Sequence, residues 1–157
     1  MKKIKAPSKI TFREAVEATP DVSKGFKSGL TAIGSYKDKI SVTNTKLLQG
    51  SLDIDTCTSR IYPNDHRWDY AFAYKGEVFF IEVHSANTGE TSTVIKKLKW
   101  LKGWLHHKAP KINSLKAPSK KPFYWIQSKN FAILKTSPQY RATIKEGLLP
   151  ISKLKLD

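Results

Sequence analysis

The alternation of apolar and polar positions changes character several times along the chain, and each change marks an element. Ile10 ahead of Thr11-Phe12-Arg13-Glu14 has the form of a capping box with a hydrophobic staple, and predicts a short helix ending before Pro20. Residues 21–49, interrupted by Gly25, Gly29 and Gly34, predict a second helical piece and then a strand over 39–43. Leu52 and Ile54 alternate with Asp53 and Asp55, which predicts a strand over 51–58. Pro63-Asn64-Asp65 places a loop at 59–67. Residues 68–74 and 77–84 then predict two strands joined by the two-residue turn Lys75-Gly76. Tyr70, Phe72 and Tyr74 share one face of the first strand, and Ala71 and Ala73 the other. Phe79, Ile81 and Val83 oppose Val78 and Phe80 in the same way on the second. Strands apolar on both faces lie centrally in a sheet with a layer on each side.

The period then switches from two to 3.6. On a wheel of about 100° per residue, Val94, Leu98, Leu101 and Leu105 form one face of a helix over 93–105. Lys96, Lys99 and Lys102 fall on the outer side, but Lys97 lies inside the apolar arc between Trp104 and Leu101. Residues 106–121, with Pro110 and Pro118, predict a basic loop. Strands are expected at 122–127 and 131–135, and a short capped helix at 137–147. The sum is a single α/β domain over 1–157, a mixed central sheet flanked by helices, with 1–9 a flexible basic arm.

The hairpin carries the chemistry. With Lys75 and Gly76 as the two turn residues, Tyr74 pairs with Glu77, so Asp69 falls opposite Glu82 and His84 opposite Arg67. Directly opposed side chains have Cβ atoms about 4.5–5.5 Å apart, where like charges destabilise a sheet. Two facing carboxylates therefore share a proton or hold a cation between them. Ala71, Ala73, Val78 and Phe80 fill the rest of that face and offer no compensating base, so a bound divalent metal is the economical answer. Two bland readings stand beside it: both acids projecting into solvent at the sheet rim, or a one-residue slip that sends them to opposite faces.

Charge changes the picture of partners. The formal net charge is +15, and between Glu90 and Glu146 thirteen Lys or Arg occur with no acid among them. A one-signed stretch interleaved with Trp100, Trp104, Tyr124 and Trp125 suits a groove that tracks phosphates and stacks bases better than a solubilising surface does. Lys96, Lys99, Lys102, Trp104 and Lys108 are the expected contacts, with nucleic acid as the partner, DNA ahead of RNA. No run approaches the roughly 20 apolar residues of a membrane span, and no lipidation motif supports a membrane-surface role. The basic first nine residues are not followed by a signal-length apolar run, and the lone Cys57 has no disulfide partner. A cytoplasmic setting fits, with Cys57 a small apolar filler.

Asp69, a short hairpin, Phe79-Phe80-Ile81 and then Glu82-Val83-His84, followed by a helix, resembles the PD-(D/E)xK nuclease superfamily. That superfamily carries an acid on one strand and a (D/E)-x-K triplet on the next. The resemblance covers roughly residues 50 to 127. It implies a restriction-endonuclease-like fold and hydrolysis of phosphodiester bonds with a divalent cation, usually magnesium, with manganese as a substitute. Carried across, Asp69 and Glu82 become metal ligands, with the Val83 carbonyl as a third. His84 stands where the family has lysine, whose task is to hold or activate the attacking water and to stabilise developing negative charge. Either His84 performs part of that task, or serves as a ligand, or the lysine is supplied from the following helix as Lys97. A snorkelling lysine covering Trp100 and Trp104 is the plain alternative. The early helix of the family often supplies a further acid, here Glu14 or Glu17, and Asp55 can extend the acidic group. His106 and His107 suit helix capping or phosphate contact. Loss of the family's lysine also leaves open an inactive binding module of the same fold, and the charge leaves open a basic adaptor subunit of a nucleoprotein complex.

Overall fold

A computed structural model describes residues 9–118 and 121–157. The arm expected over 1–9 lies, apart from Lys9, outside the described residues.

Thr11 opens α1 (Phe12–Glu17) with both halves of its capping box, its hydroxyl accepting from the Glu14 amide while the Glu14 carboxylate accepts from the Thr11 amide. A 3-10 segment, Thr31–Lys39, kinks at Gly34 (φ 61°) and leads into β1 (Ile40–Val42). Next come β2 (Leu48–Asp53), α2 (Ile54–Thr58), β3 (Tyr70–Tyr74) and β4 (Glu77–His84). The long helix α3 (Thr91–His107) and the short α4 (Pro110–Asn113) lead to β5 (Phe123–Gln127). The chain closes with α5 (Pro138–Lys145) and β6 (Leu154–Leu156).

The main sheet has the order β2-β3-β4-β5, so the hairpin strands are its two central members. β2, β3 and β4 run antiparallel, and β5 returns parallel to β4 after the α3 crossover. Tyr74 pairs with Glu77 and Tyr70 with Ile81, the register that a two-residue turn dictates. Both turn residues have positive φ, 52° at Lys75 and 78° at Gly76, as a turn matching the strand twist requires.

The two faces bury different sets. Ala71, Ala73, Val78 and Phe80 pack beneath Val94, Leu98, Leu101 and Leu105 of α3, with Phe12, Val16 and Trp125 in the same cluster. Phe72, Tyr74, Phe79, Ile81 and Val83 face Ile33, Ile40, Leu154 and Leu156. The second layer is thus the 3-10 segment with the parallel pair β1-β6, not a set of α-helices.

Several elements differ from the sequence pattern. The strand expected over 51–58 stops at Asp53, because that carboxylate accepts from the Thr56 amide at 2.9 Å and from its hydroxyl, capping α2. Local capping here overrides the alternation. The first hairpin strand begins at Tyr70 rather than 68, and α3 runs a turn-fraction longer at both ends. The loop over 106–121 contains α4, with Pro110 in its first turn where the missing amide proton has no intrahelical role. The strand over 131–135 is reduced to one bridge between Asn87 and Ala132. β6 was not anticipated; its three residues pair only with the equally short β1, too short for a period-two signal.

The turn carries its own test. A Cβ on Gly76 meets nothing, so substitution there strains only the backbone. Gly76→Val is expected to cost about 1–2 kcal/mol and Lys75→Asn to add roughly 0.5 kcal/mol, read by urea denaturation. Equal stability of Gly76→Val and wild type would show that this turn does not set the register.

Candidate functional site

The ladder between β3 and β4 ends at Tyr70 and Ile81, and Asp69 and Glu82 come next. There the backbone pairing is replaced by a reciprocal clasp. The Asp69 amide donates to Glu82 Oε1 at 3.1 Å, and the Val83 amide donates to Asp69 Oδ2 at 3.0 Å. The Asp69 carbonyl accepts from the Ile54 and Asp55 amides, tying the start of β3 to the first turn of α2. The two acids face each other at the end of the central hairpin, as the turn register requires.

Their repulsion is answered from α3. Lys97 Nζ lies 2.5 Å from Glu82 Oε2 and 3.6 Å from Asp69 Oδ1. The compensating base that the hairpin strands lack is therefore on the neighbouring helix, reached through the gap that Lys97 occupies in its apolar arc. The Glu82 side chain is fully covered, whereas Lys97, Asp69 and His84 keep 17%, 18% and 22% of theirs exposed. One covered acid is thus grouped with three partly exposed side chains. Lys97 does not merely snorkel over Trp100 and Trp104.

His84 is held between two carboxylates, with Nδ1 3.4 Å from Glu82 Oε2 and Nε2 2.7 Å from Glu90 Oε2. Glu90 is positioned by Asn87, whose side chain accepts from its amide at 3.1 Å. In the sequence Glu90 marks only the start of the acid-free stretch; its spacing from His84 crosses a 3-10 turn, Thr88–Glu90, that no periodicity announces. The ladder ends before Arg67 and His84, and the Arg67 side chain is engaged elsewhere. Its Nε pairs with Asp55 Oδ1 at 2.7 Å and its guanidinium donates to the Tyr62 carbonyl. Asp55 is close enough to act electrostatically on both Asp69 and Lys97, so it belongs to the rim of the acidic group. Asp53 caps α2, the Glu14 carboxylate belongs to its capping box, and Glu17 pairs with Arg13 on the surface.

These environments set the protonation states. Burial, followed by the nearby Glu82 charge, pushes the Asp69 carboxyl up to about 7, against the opposing pull of Lys97 and the Val83 amide. Burial alone would depress Lys97, but Glu82 and Asp69 together outweigh it, so its ammonium is held above the usual lysine range. The Glu82 contact raises His84, burial opposes it, and Glu90 adds to the rise. Both carboxylates thus favour the charged form of Lys97.

The donor set suits one kind of cation. Asp69, Glu82 and the Val83 carbonyl, which lies on the same edge of β4 as the Val83 amide, are oxygen ligands of the type that magnesium takes together with its own waters. No buried side-chain polar atom among the described residues lacks a partner, so a cation would enter by displacing Lys97 from the carboxylates.

The expected nucleic-acid contacts divide. Lys96, Lys99, Lys102 and Lys108 are exposed. Trp104 is only 4% exposed and donates its indole N–H to Asp21, so it packs inside instead of offering a face to a base. Trp125 is fully buried and donates to the His84 carbonyl. Trp100 and Tyr124 remain half-exposed. His106 and His107 lie exposed in the last turn of α3, edge to face with each other, and Cys57 packs against the core. No helix among the described residues is long and apolar enough to cross a membrane.

No known protein family, curated protein or solved structure matches the chain, so the site stands on its own geometry.

Two measurements on metal-free protein check this arrangement. The Asp69 carboxyl has a folded value near 7 against an unfolded value near 3.8. Between those values the unfolded chain has released a proton that the folded one keeps, so stability falls as pH rises from about 4 to 7, by an amount on the order of a few kcal/mol. His84, raised above its ordinary value, adds stability below about 6.5 that is lost as pH rises through its folded value. Asp69→Asn should flatten most of the slope, and an unchanged slope would remove Asp69 from the cluster. Lys97→Met, which strands the buried Glu82, should cost about 3–5 kcal/mol at pH 8 and less at pH 5, where Asp69 holds its proton.

Proposed function

We propose that this protein is a metal-dependent nuclease, with a restriction-endonuclease-like core of the PD-(D/E)xK type, that hydrolyses phosphodiester bonds of nucleic acid using magnesium or manganese. The observation that carries the reading is Lys97 reaching from the helix after the hairpin to two carboxylates opposed on its strands. An acid on one strand, an acid on the next and a lysine at both is the group the resemblance asks for, with the lysine moved from the triplet position to the helix. Asp69 and Glu82, with the Val83 carbonyl, would hold the cation. The cation's contribution would be to lower the pKa of a water and to offset charge on the phosphate.

The side chains then divide the work. Lys97, partly exposed and facing both carboxylates, orients the attacking oxygen and stabilises the charge that develops on the phosphoryl oxygens. Without a cation Glu82 holds both Lys97 and His84, and a cation on the carboxylates would free Lys97 for the substrate. His84, held between Glu82 and Glu90, is a positioning group that orients the site's hydrogen bonds. The exposed Lys96, Lys99 and Lys102 supply a phosphate-tracking face on the same helix.

One observation favours a second reading: histidine in the triplet position and a lysine already satisfied by ion pairs also describe a binding module without catalysis. Cleavage decides between the two. Purified protein with single- and double-stranded DNA and RNA should cut at least one of them with magnesium or manganese and none with chelator. Asp69→Ala, Glu82→Ala and Lys97→Met should each reduce the rate by a hundredfold or more, and His84→Ala by less. Metal should also raise the melting temperature of wild type but not of Asp69→Asn. Cutting that survives neutralisation of both acids would make the pair structural.

Binding has a separate expectation. Affinity for nucleic acid should fall log-linearly with salt, and Lys96→Glu, Lys99→Glu and Lys102→Glu together should weaken it without unfolding the domain. Affinity untouched by the triple change would place the phosphate path elsewhere.

A further inference from the structure

The outer side of α3 carries a second feature that the hydrolytic site does not use. Trp100, Gly103, Trp104 and His107 lie at helical spacing, and Tyr62 closes over them from the loop before β3, leaving an open cleft of about 300 Å³ with Lys99 and Lys108 at its edge. Its lining is mostly apolar. Trp100 stacks on Trp104 with ring centroids 5.8 Å apart and planes 10° apart, and Tyr62 meets Trp100 edge-on at 5.9 Å. The orientation of each ring is fixed by a carboxylate. Asp65 accepts from the Trp100 indole at 2.9 Å, and Asp21 accepts from both Trp104 and the Tyr62 hydroxyl.

Gly103 gives the cleft its meaning. A glycine inside a helix is less favourable than alanine by about 1 kcal/mol, so it needs a reason in packing or backbone. Packing gives none, because a Cβ at position 103 would meet no atom within 4 Å. Its backbone φ does not lie in the left-handed region. What the missing side chain does provide is an open floor beside Trp100.

We infer that this cleft is a base-binding subsite for single-stranded nucleic acid, in which an unstacked base lies against Trp100 over Gly103 while Lys99 and Lys108 take the flanking phosphates. The occupant follows from charge and shape. A flat apolar floor with a preset ring suits a planar base, which any sequence supplies. The basic rim, within a stretch that holds no acid from 91 to 145, suits its backbone and disfavours a cationic ligand such as a methylated lysine. Asp21 and Asp65 lie on the indole N–H side, where they orient the rings. The inference rests on the nucleic-acid part of the function proposed above and not on its catalytic part.

The test uses full-length protein in chelator, so that binding is read without cleavage. Trp68 and Trp125 are fully buried and Trp104 nearly so, which leaves Trp100 as the ring that a bound base can quench. Short single-stranded oligonucleotides should quench tryptophan fluorescence, and a duplex of the same sequence should do so much less. Gly103→Leu, which fills the floor, should weaken oligonucleotide binding roughly five- to a hundredfold. Gly103→Ala should raise the melting temperature by about 2–4 °C while weakening binding. Trp100→Ala should abolish the quench, and Trp100→Phe should retain binding. Wild-type affinity and quench in Gly103→Leu, equal response to duplex, or quenching by a trimethyl-lysine peptide and not by oligonucleotides would each overturn the inference. Because metal-dependent cleavage is measured separately, loss of one result leaves the other standing.

Discussion

Everything distinctive about this molecule depends on a turn of two residues. Lys75 and Gly76, both at positive φ, close the β3-β4 hairpin with no slack, so each cross-strand pair is fixed once Tyr74 meets Glu77. A slip of β4 by one residue against β3 would turn Phe79 and Ile81 from one layer to the other and separate Asp69 from Glu82. Apolar residues on both faces resist that slip, because each face is already filled by side chains of matching size: alanines with Val78 and Phe80 beneath α3, aromatic and branched residues toward β1-β6. The site is thus a consequence of the core's register.

Setting two acids against each other on central strands is unfavourable unless something answers the charge. Lys97 and His84 answer it, both meeting Glu82, with Glu90 beyond His84. Counted as ionised, Asp69, Glu82 and Glu90 oppose Lys97 and His84, a net charge of one negative before Asp69 takes up a proton. Asp69 is the member that adjusts, since it shares burial and a like-charged neighbour but keeps Lys97 at only 3.6 Å. A cluster this well satisfied can be purely structural, and buried ion pairs are weak evidence for stability. What favours a working site is that three of its members keep part of their side chains exposed around one covered carboxylate.

The legible part of this fold was the part governed by short-range rules. The capping box at Thr11, the two-residue turn and the 3.6 period of α3 each name their residues directly, and the wheel position of Lys97 singled it out among its basic neighbours. The facing pair followed from counting back from the turn. Where two local rules compete, pattern alone chose wrongly: Asp53 fits an alternating strand, but its carboxylate is better used capping α2. Long-range facts were silent. Nothing near Leu154 announces that it pairs with Ile40, and nothing near Trp104 or Trp125 announces that their indoles are turned inward to Asp21 and the His84 carbonyl. Composition supplied rings for stacking, but burial removed two of them.

One helix serves both proposed sites, and its geometry relates them. Lys97 and Trp100 lie about 60° apart on the wheel of α3 and three residues apart along it, which at 1.5 Å per residue is roughly 4.5 Å. Consecutive units of a stacked strand rise about 3.4 Å, so a chain of nucleic acid lying along α3 would cover that distance in roughly one to two nucleotides. Moving the cationic group from the strand to the helix has this consequence: the same rigid element that neutralises the carboxylates also sets the distance to any base held beside Trp100. Val94, Leu98, Leu101 and Leu105 fix that element on the sheet. A substitution that tilts α3 would therefore disturb charge neutralisation and base placement together, although no side chain is shared between them.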